Sequence, residues 1–180
     1  MRQKTFVLLA VSLFSFSATP YKPCFAPTPD YKIEFSATGA SGSFTNLNGT
    51  ICLDPNNLRT GNIDVTVDAV TIKTGNSLKD KHARSESWLH ASRYSTIRIR
   101  STGFEKRGND YLMGATLTIR GISKPIAVPF RFTQTARGGI FAGSFTINRK
   151  DYGIDGPFMA FTVGDQFDIR LTVPVQPKKG

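Results

Sequence analysis

The sequence is poor in the residue types that most often carry chemistry. Its 180 residues include two cysteines, two histidines and one tryptophan. Two cysteines are too few for a disulfide framework or a cysteine-rich zinc site. His82 and His90, on a shared helix, would lie about 12 Å apart along its axis and could not share a metal without a partner loop. There is no Gly-x-Ser-x-Gly elbow, no phosphate-binding loop and no dinucleotide glycine pattern. Asp80 and Glu86 come nearest to paired carboxylates, and Asp80 is better explained as an acid near a helix N-terminus. A hydrolase or isomerase built on His82 and a carboxylate is therefore disfavoured, and no enzyme is expected. Apolar runs are also short. The longest, Phe6 to Phe16, cannot span a bilayer as a helix.

That run has another use. Arg2 and Lys4 precede it, and Ser15 and Ser17 supply small residues for a cut after Ser17, so residues 1–17 read as a signal peptide. A cut after Ala26, an uncleaved anchor and a buried N-terminal strand are the alternatives. Residues 18–29, with Pro20, Pro23, Pro27 and Pro29, read as an extended, unpaired leader, and the domain proper as 30–176. In an oxidising compartment Cys24 and Cys52 can pair; otherwise Cys52 is a core residue and Cys24 sits in a loose tail. The expected location is the periplasm or the exterior. The formal net charge of +10 admits contact with an anionic membrane surface, or simply a solvated exterior. A nucleic-acid partner is not expected of an exported chain. Asn48-Gly49-Thr50 matches a glycosylation acceptor, a pattern short enough to arise by chance.

From Tyr31 onward the apolar residues recur with period two, the strand signature. Ile33 and Phe35 share a face; Ile51 and Leu53 flank Cys52; Ile63, Val65 and Val67 alternate with polar residues, as do Ile97 and Ile99. Tyr111, Met113, Leu117 and Ile119 form a longer stripe, followed by Val128, Phe130 and Phe132, then Phe141 and Phe145, and last Phe167 and Ile169. Turn-forming clusters such as Asp54-Pro55-Asn56-Asn57 and Arg107-Gly108-Asn109-Asp110 separate the runs. One-sided strands in succession predict an all-β, eight-stranded antiparallel barrel of lipocalin-like form, with a two-sheet sandwich as rival.

Two segments break the rhythm. Ser77 and Asp80 fit a capping box, and Leu78, His82, Ser85 and Leu89 fall on one stripe, which predicts a helix over 77–90 across one mouth of the barrel. The stretch 153–165 holds three glycines with Phe158, Met159 and Phe161, and reads as a lid or plug. Asp80, Arg149 and Asp151 could join helix to strand as a salt-bridge network, or hold a ligand's head group; charges at a dry mouth are usually paired.

An eight-stranded barrel is just wide enough to be filled by its side chains or to hold one ligand. Periodicity cannot separate the two, and a filled core is the default. Gly143, between Phe141 and Phe145, is one position where filling would be incomplete.

The segments Asp68–Gly75, Lys79–His82, Trp88-Leu89, Ser95–Thr102, Gly114–Pro125, Ile147–Ile154 and Val163–Ile169 together resemble the YceI-like family of bacterial exported proteins. The chain departs from the family at Arg120, Lys79 and Ser95, where His, Arg and Pro are frequent. The resemblance implies a barrel that binds a polyisoprenoid, an isoprenoid quinone or a fatty-acyl amphiphile in its tunnel, carried or stored without catalysis and without any other cofactor. The inward apolar positions named above other than Ile63, with Phe44, Leu53, Trp88, Phe158 and Phe161, are the expected lining. A structural or adaptor barrel with a filled core and a basic working surface is the alternative. A homodimer through the helix and the 153–165 loop is a further expectation.

Overall fold

The structure is a computed structural model that describes residues 23–156 and 163–178. The expected signal peptide, the first part of the leader, Phe158 and Phe161 lie outside these residues. Ten strand segments run β1 (Cys24–Pro27), β2 (Lys32–Ala37), β3 (Ala40–Ser43), β4 (Asn48–Cys52), β5 (Asn62–Asp68), β6 (Thr96–Arg107), β7 (Asp110–Ile119), β8 (Ile122–Thr135), β9 (Gly138–Asn148) and β10 (Gln166–Pro177). The α-helix among the described residues is α1 (Ser77–Arg84).

Every pairing is antiparallel, and the sheet closes on itself through β1 and β10. The ten segments occupy eight positions around the ring. β10 is long enough to hold two partners end to end: Asp168–Thr172 pairs with β2, and Val175–Pro177 pairs with β1. The next position is likewise split, with β3 beside β2 and β4 beside β1. A single bridge between Ser43 and Lys73 ties β3 to the chain beyond β5. The eight-stranded barrel is therefore present, with two of its eight staves broken.

The alternation read in the sequence is realised most cleanly in β7. Tyr111, Met113, Ala115, Leu117 and Ile119 are buried while the residues between them are not. A register shift between Ser101 and Gly103 in β6 adds the local twist a closed sheet needs. The β7–β8 turn is two residues, Arg120 and Gly121, with φ of 51° and 73°, the left-handed pair that matches strand twist.

Two expectations need correction, on the leader and on the helix, and one open alternative is resolved. The leader is not unpaired throughout: Cys24–Pro27 forms β1 and completes the ring. Phe25 supplies an apolar side chain for the interior, and Pro27 stands at the strand's end, where Thr28 donates to the Pro174 carbonyl in its stead. Of the two readings of the cysteines, pairing is the one found: Cys24 lies directly opposite Cys52 and the two form a disulfide with Cα atoms 4.0 Å apart.

The helix is also shorter than 77–90 and capped differently. The Asn76 side chain, not Ser77, accepts from the backbone N–H groups of Leu78 and Lys79. After Arg84 the chain leaves the helix, with Ser85 extended and its hydroxyl donating to the His82 carbonyl, and His90 is left-handed at φ 49°. Leu78 and Leu89 therefore do not share a stripe: Leu78 is 62% exposed and Leu89 is buried.

Candidate functional site

The barrel is not filled. It encloses a cavity of about 610 Å³, within the usual range for small-molecule sites of about 300–1,000 Å³. The walls are the inward faces of the strands. Of the residues expected to line a tunnel, Ile33, Phe35, Phe44, Ile51, Val65, Val67, Trp88, Ile97 and Ile99 do so. So do Met113, Leu117, Ile119, Val128, Phe130, Phe141, Phe145, Phe167 and Ile169. Leu53, Tyr111 and Phe132 do not. Leu53 is wholly buried just past the end of β4. Tyr111 and Phe132 point inward but belong to a plug of rings at one end.

That plug explains which end is closed. Phe132 lies 4.4 Å from Phe141 and 5.7 Å from Phe25, centroid to centroid. Phe130 packs against Tyr111 at 5.3 Å and Phe104 at 6.3 Å. These rings occupy the end where β6 and β8 finish and β7 and β9 begin. Contacts of this kind add about 0.5–1.5 kcal/mol per pair beyond burial, so the closed end is the stiff end.

The opposite end is polar. The polar side chains among the lining residues are Ser36, Ser41, Thr66, Thr74, Lys79, His82 and Arg149, and each belongs to the half of the barrel nearest α1. α1 contributes Lys79, His82 and Ala83 to the lining, so it lies at the mouth as expected. A long molecule in this cavity would have an apolar environment along most of its length and hydrogen-bonding groups at one end only.

Arg149 is the one buried cation among the described residues, and its surroundings account for it. It opens a 3-10 turn at the end of β9 (Arg149–Tyr152). Its guanidinium donates to the carbonyl oxygens of Ile154 and Gly164, pairs with Asp165 at 2.9 Å, and stacks over Trp88. Gly156 passes so close to the Trp88 indole that no side chain would fit there. Asp80, in α1, is buried as well. It accepts from both the N–H and the hydroxyl of Thr74, each at 2.7 Å, with Lys73 and Arg84 at 3.8 Å. These two Thr74 bonds, and then the nearby cations, hold its carboxyl below the usual range. Asp165 is likewise held low, first by its bond from Lys150.

The anticipated Asp80–Arg149–Asp151 network is thus two separate ones. Asp80 binds the loop before the helix; Arg149 binds the loop after its own turn through Asp165; Asp151 is exposed. Spacing in the sequence could not place Thr74 and Asp165 as the true partners, because both lie in irregular loops.

Residues missed as lining include Ile63, Leu171 and Val173, which share the parity of named neighbours, and Ile72, Leu89 and Ile154, which lie outside the strands and carry no periodic signal. Gly143 does line the cavity, but it is not spare room. A Cβ there would meet the Pro129 carbonyl oxygen at 2.7 Å.

Comparison with known proteins gives three kinds of match. The YceI-like domain family matches residues 29–175. A UPF0312 protein of Vibrio cholerae is 31% identical over 168 residues, covering 82% of this chain and 87% of its own length. Among solved structures, Burkholderia cenocepacia BcnA superposes with a TM-score of 0.74 at 20% identity, over 79% of this chain and 94% of that one. A polyisoprenoid binding domain from Saccharophagus degradans, implicated in plant cell wall breakdown, gives 0.66 at 13% identity, over 88% of this chain and all of that one.

Proposed function

The chain belongs to the YceI-like domain family, and from that premise and the open apolar interior we propose that it binds a long-chain lipid inside the barrel as a non-enzymatic carrier or buffer. The observation that carries this reading is the division of the cavity: apolar walls and a ring-sealed base, with polar groups confined to the mouth. A polyisoprenoid or isoprenoid quinone fits that division, its tail along the walls and its head beside Thr74, Lys79 and His82. The solved relative described as a polyisoprenoid binding domain supports the same class.

Each methylene buried contributes about 0.8 kcal/mol against water. A bilayer offers nearly as much, so net affinity over the membrane is set by shape and by the mouth, and exchange is favoured over permanent capture. The filled-core adaptor loses its basis, since the core is not filled. The apolar run at residues 6–16 and a disulfide, a bond that persists in oxidising compartments, support export to the periplasm or beyond.

Organic extraction of the purified chain followed by mass spectrometry tests the reading. A co-purifying prenyl or acyl lipid in near-stoichiometric amount is expected. Its absence, with no uptake of a long-chain quinone or prenyl alcohol offered to the stripped protein, would overturn it.

A further inference from the structure

Exposed large apolar residues are few among the described residues, and they are not scattered. They are Val70, Leu78, Ile122 and Ile140, at 53%, 62%, 38% and 36% exposure. Single exposed apolar residues are ordinary on a soluble protein. Here three of the four share one end of the barrel. Val70 follows the end of β5, Leu78 lies in the first turn of α1, and Ile122 opens β8 just after the β7–β8 turn. That end is the mouth. The turns at the sealed end, Asp54–Asn57, Arg107–Asp110 and Arg137–Gly138, carry no exposed large apolar residue.

Cations outnumber acids near the same three residues in the sequence, where Asp68 and Glu86 are the other acids beside Asp80. Lys73, Lys79 and Lys81 are exposed, and Arg84 is partly so. From Lys73 to Arg84 the only acid is Asp80, whose carboxylate is buried and bound by Thr74, so the segment presents a net charge of 4 − 1 = +3. Arg120 and Lys124 flank Ile122. Apolar tips set among lysines, at the end of the barrel where α1 lines the cavity, match an anionic bilayer in both respects: the tips enter the acyl boundary while the ammonium groups meet lipid phosphates.

We propose that the mouth, through Leu78, Val70 and Ile122 with Lys73 and Lys81, is a docking surface for an anionic lipid bilayer, with the barrel axis set so that the cavity opens onto the membrane. The proposal rests on the lipid-binding reading, because a cargo moving between cavity and bilayer without crossing water needs this orientation. A protein partner and a second copy of the chain are not favoured, since the tips are separated by like charges that a bilayer of anionic head groups neutralises all at once.

The full mature chain is floated with vesicles of phosphatidylglycerol or of phosphatidylcholine, at low and at high salt. Binding to the anionic vesicles that falls with added salt is expected. Leu78→Asp together with Lys81→Glu is expected to weaken it by about tenfold or more, while Ile140→Asp, on the far half of the wall, leaves it unchanged. Circular dichroism and extracted lipid content, measured on each variant, show that the barrel is intact. No enrichment on anionic vesicles, or equal binding by the mouth variant and the parent, overturns the proposal. Lipid in the extract without vesicle binding sinks the docking surface and leaves the carrier standing; vesicle binding by a chain that never holds lipid does the reverse.

Discussion

The Arg149 guanidinium lies over the Trp88 indole, 5.3 Å from the ring centroid, and Trp88 is the only tryptophan in the chain. Because that ring also lines the cavity near its mouth, intrinsic fluorescence reports on the site alone. Titration with a long-chain isoprenoid quinone is expected to quench it in a saturable curve. A quinone of the same head with no tail should give only weak, linear quenching at equal concentration, since most of the binding area is lost with the tail. Equal saturable quenching by both would place the affinity in the head.

Arg149 itself holds the two loops at the mouth together. Replacing it by Met keeps the volume but leaves the Ile154 and Gly164 carbonyls without their donor and Asp165 with Lys150 as its remaining ion-pair partner. A loss of about 2 kcal/mol is expected in urea unfolding. Arg149→Lys should recover little of it, because an ammonium cannot reproduce the guanidinium's fork of donors.

Three carboxylates, Asp64, Asp80 and Asp165, are held below their ordinary value of 3.8 in the folded chain, mainly by hydrogen bonds from Arg98, Thr74 and Lys150 respectively. The folded state therefore releases their protons more readily than the unfolded one. Their stabilisation is fully present above about pH 4–5 and is lost as pH falls through the lowered values. Melting temperature followed downward from pH 6 should fall first gently and then steeply. Asp80→Asn should reduce that acid slope and lower stability at neutral pH.

At the alkaline end the sign reverses. Burial, and then the charge of Asp151, pushes the Tyr152 hydroxyl up to about 12, so the folded state keeps it protonated. Stability from this group is complete below pH 10 and declines as pH rises toward 12. Absorbance at 295 nm should show Tyr152 ionising near pH 12, its rise coinciding with loss of near-ultraviolet dichroism.

Much of this architecture was legible in the sequence, for a definite reason. Alternation reports which side of a strand a residue faces, and the eight apolar stripes from Ile33 to Ile169 face inward. Alternation does not report height. Tyr111 and Phe132 have the same parity as Met113 and Phe130, yet they fill the sealed end while the others line the cavity. Nor does it reveal breaks. β3 and β4 occupy one stave interrupted at Phe44–Leu47, where the Leu47 N–H turns to the Tyr31 hydroxyl. At the helix, Asn76 and Ser77 are both good caps, and the choice between them depends on Thr74, which the Asp80 carboxylate binds.

Cys24 and Cys52 tie β1 into the ring across a separation of 28 residues. Replacing both by Ser is expected to cost about 3–4 kcal/mol in the chain-entropy account. The effect should be local before it is global. Hydrogen exchange at Phe25 and Ala26 should quicken far more than at β7, where neither neighbour depends on the link. Uniform acceleration would mean that β1 is no weaker than the rest of the wall.

The shared edge on β10 has a further consequence, for the order of events in folding. Phe25 pairs with Pro177, so the first described strand and the last are neighbours across nearly the whole length of the domain. A chain that emerges from its N-terminus can pair β1 with β4 and β2 with β3 early, but lacks β10, the second neighbour of both β1 and β2, until the final residues arrive. Local hairpins such as β6–β7 and β7–β8 can form at once; ring closure is the most non-local step and sets the pace. Until then two sheet edges stand open, the condition in which strands pair with the wrong chain. The protein is thus most exposed to misassembly at the moment just before its ends meet.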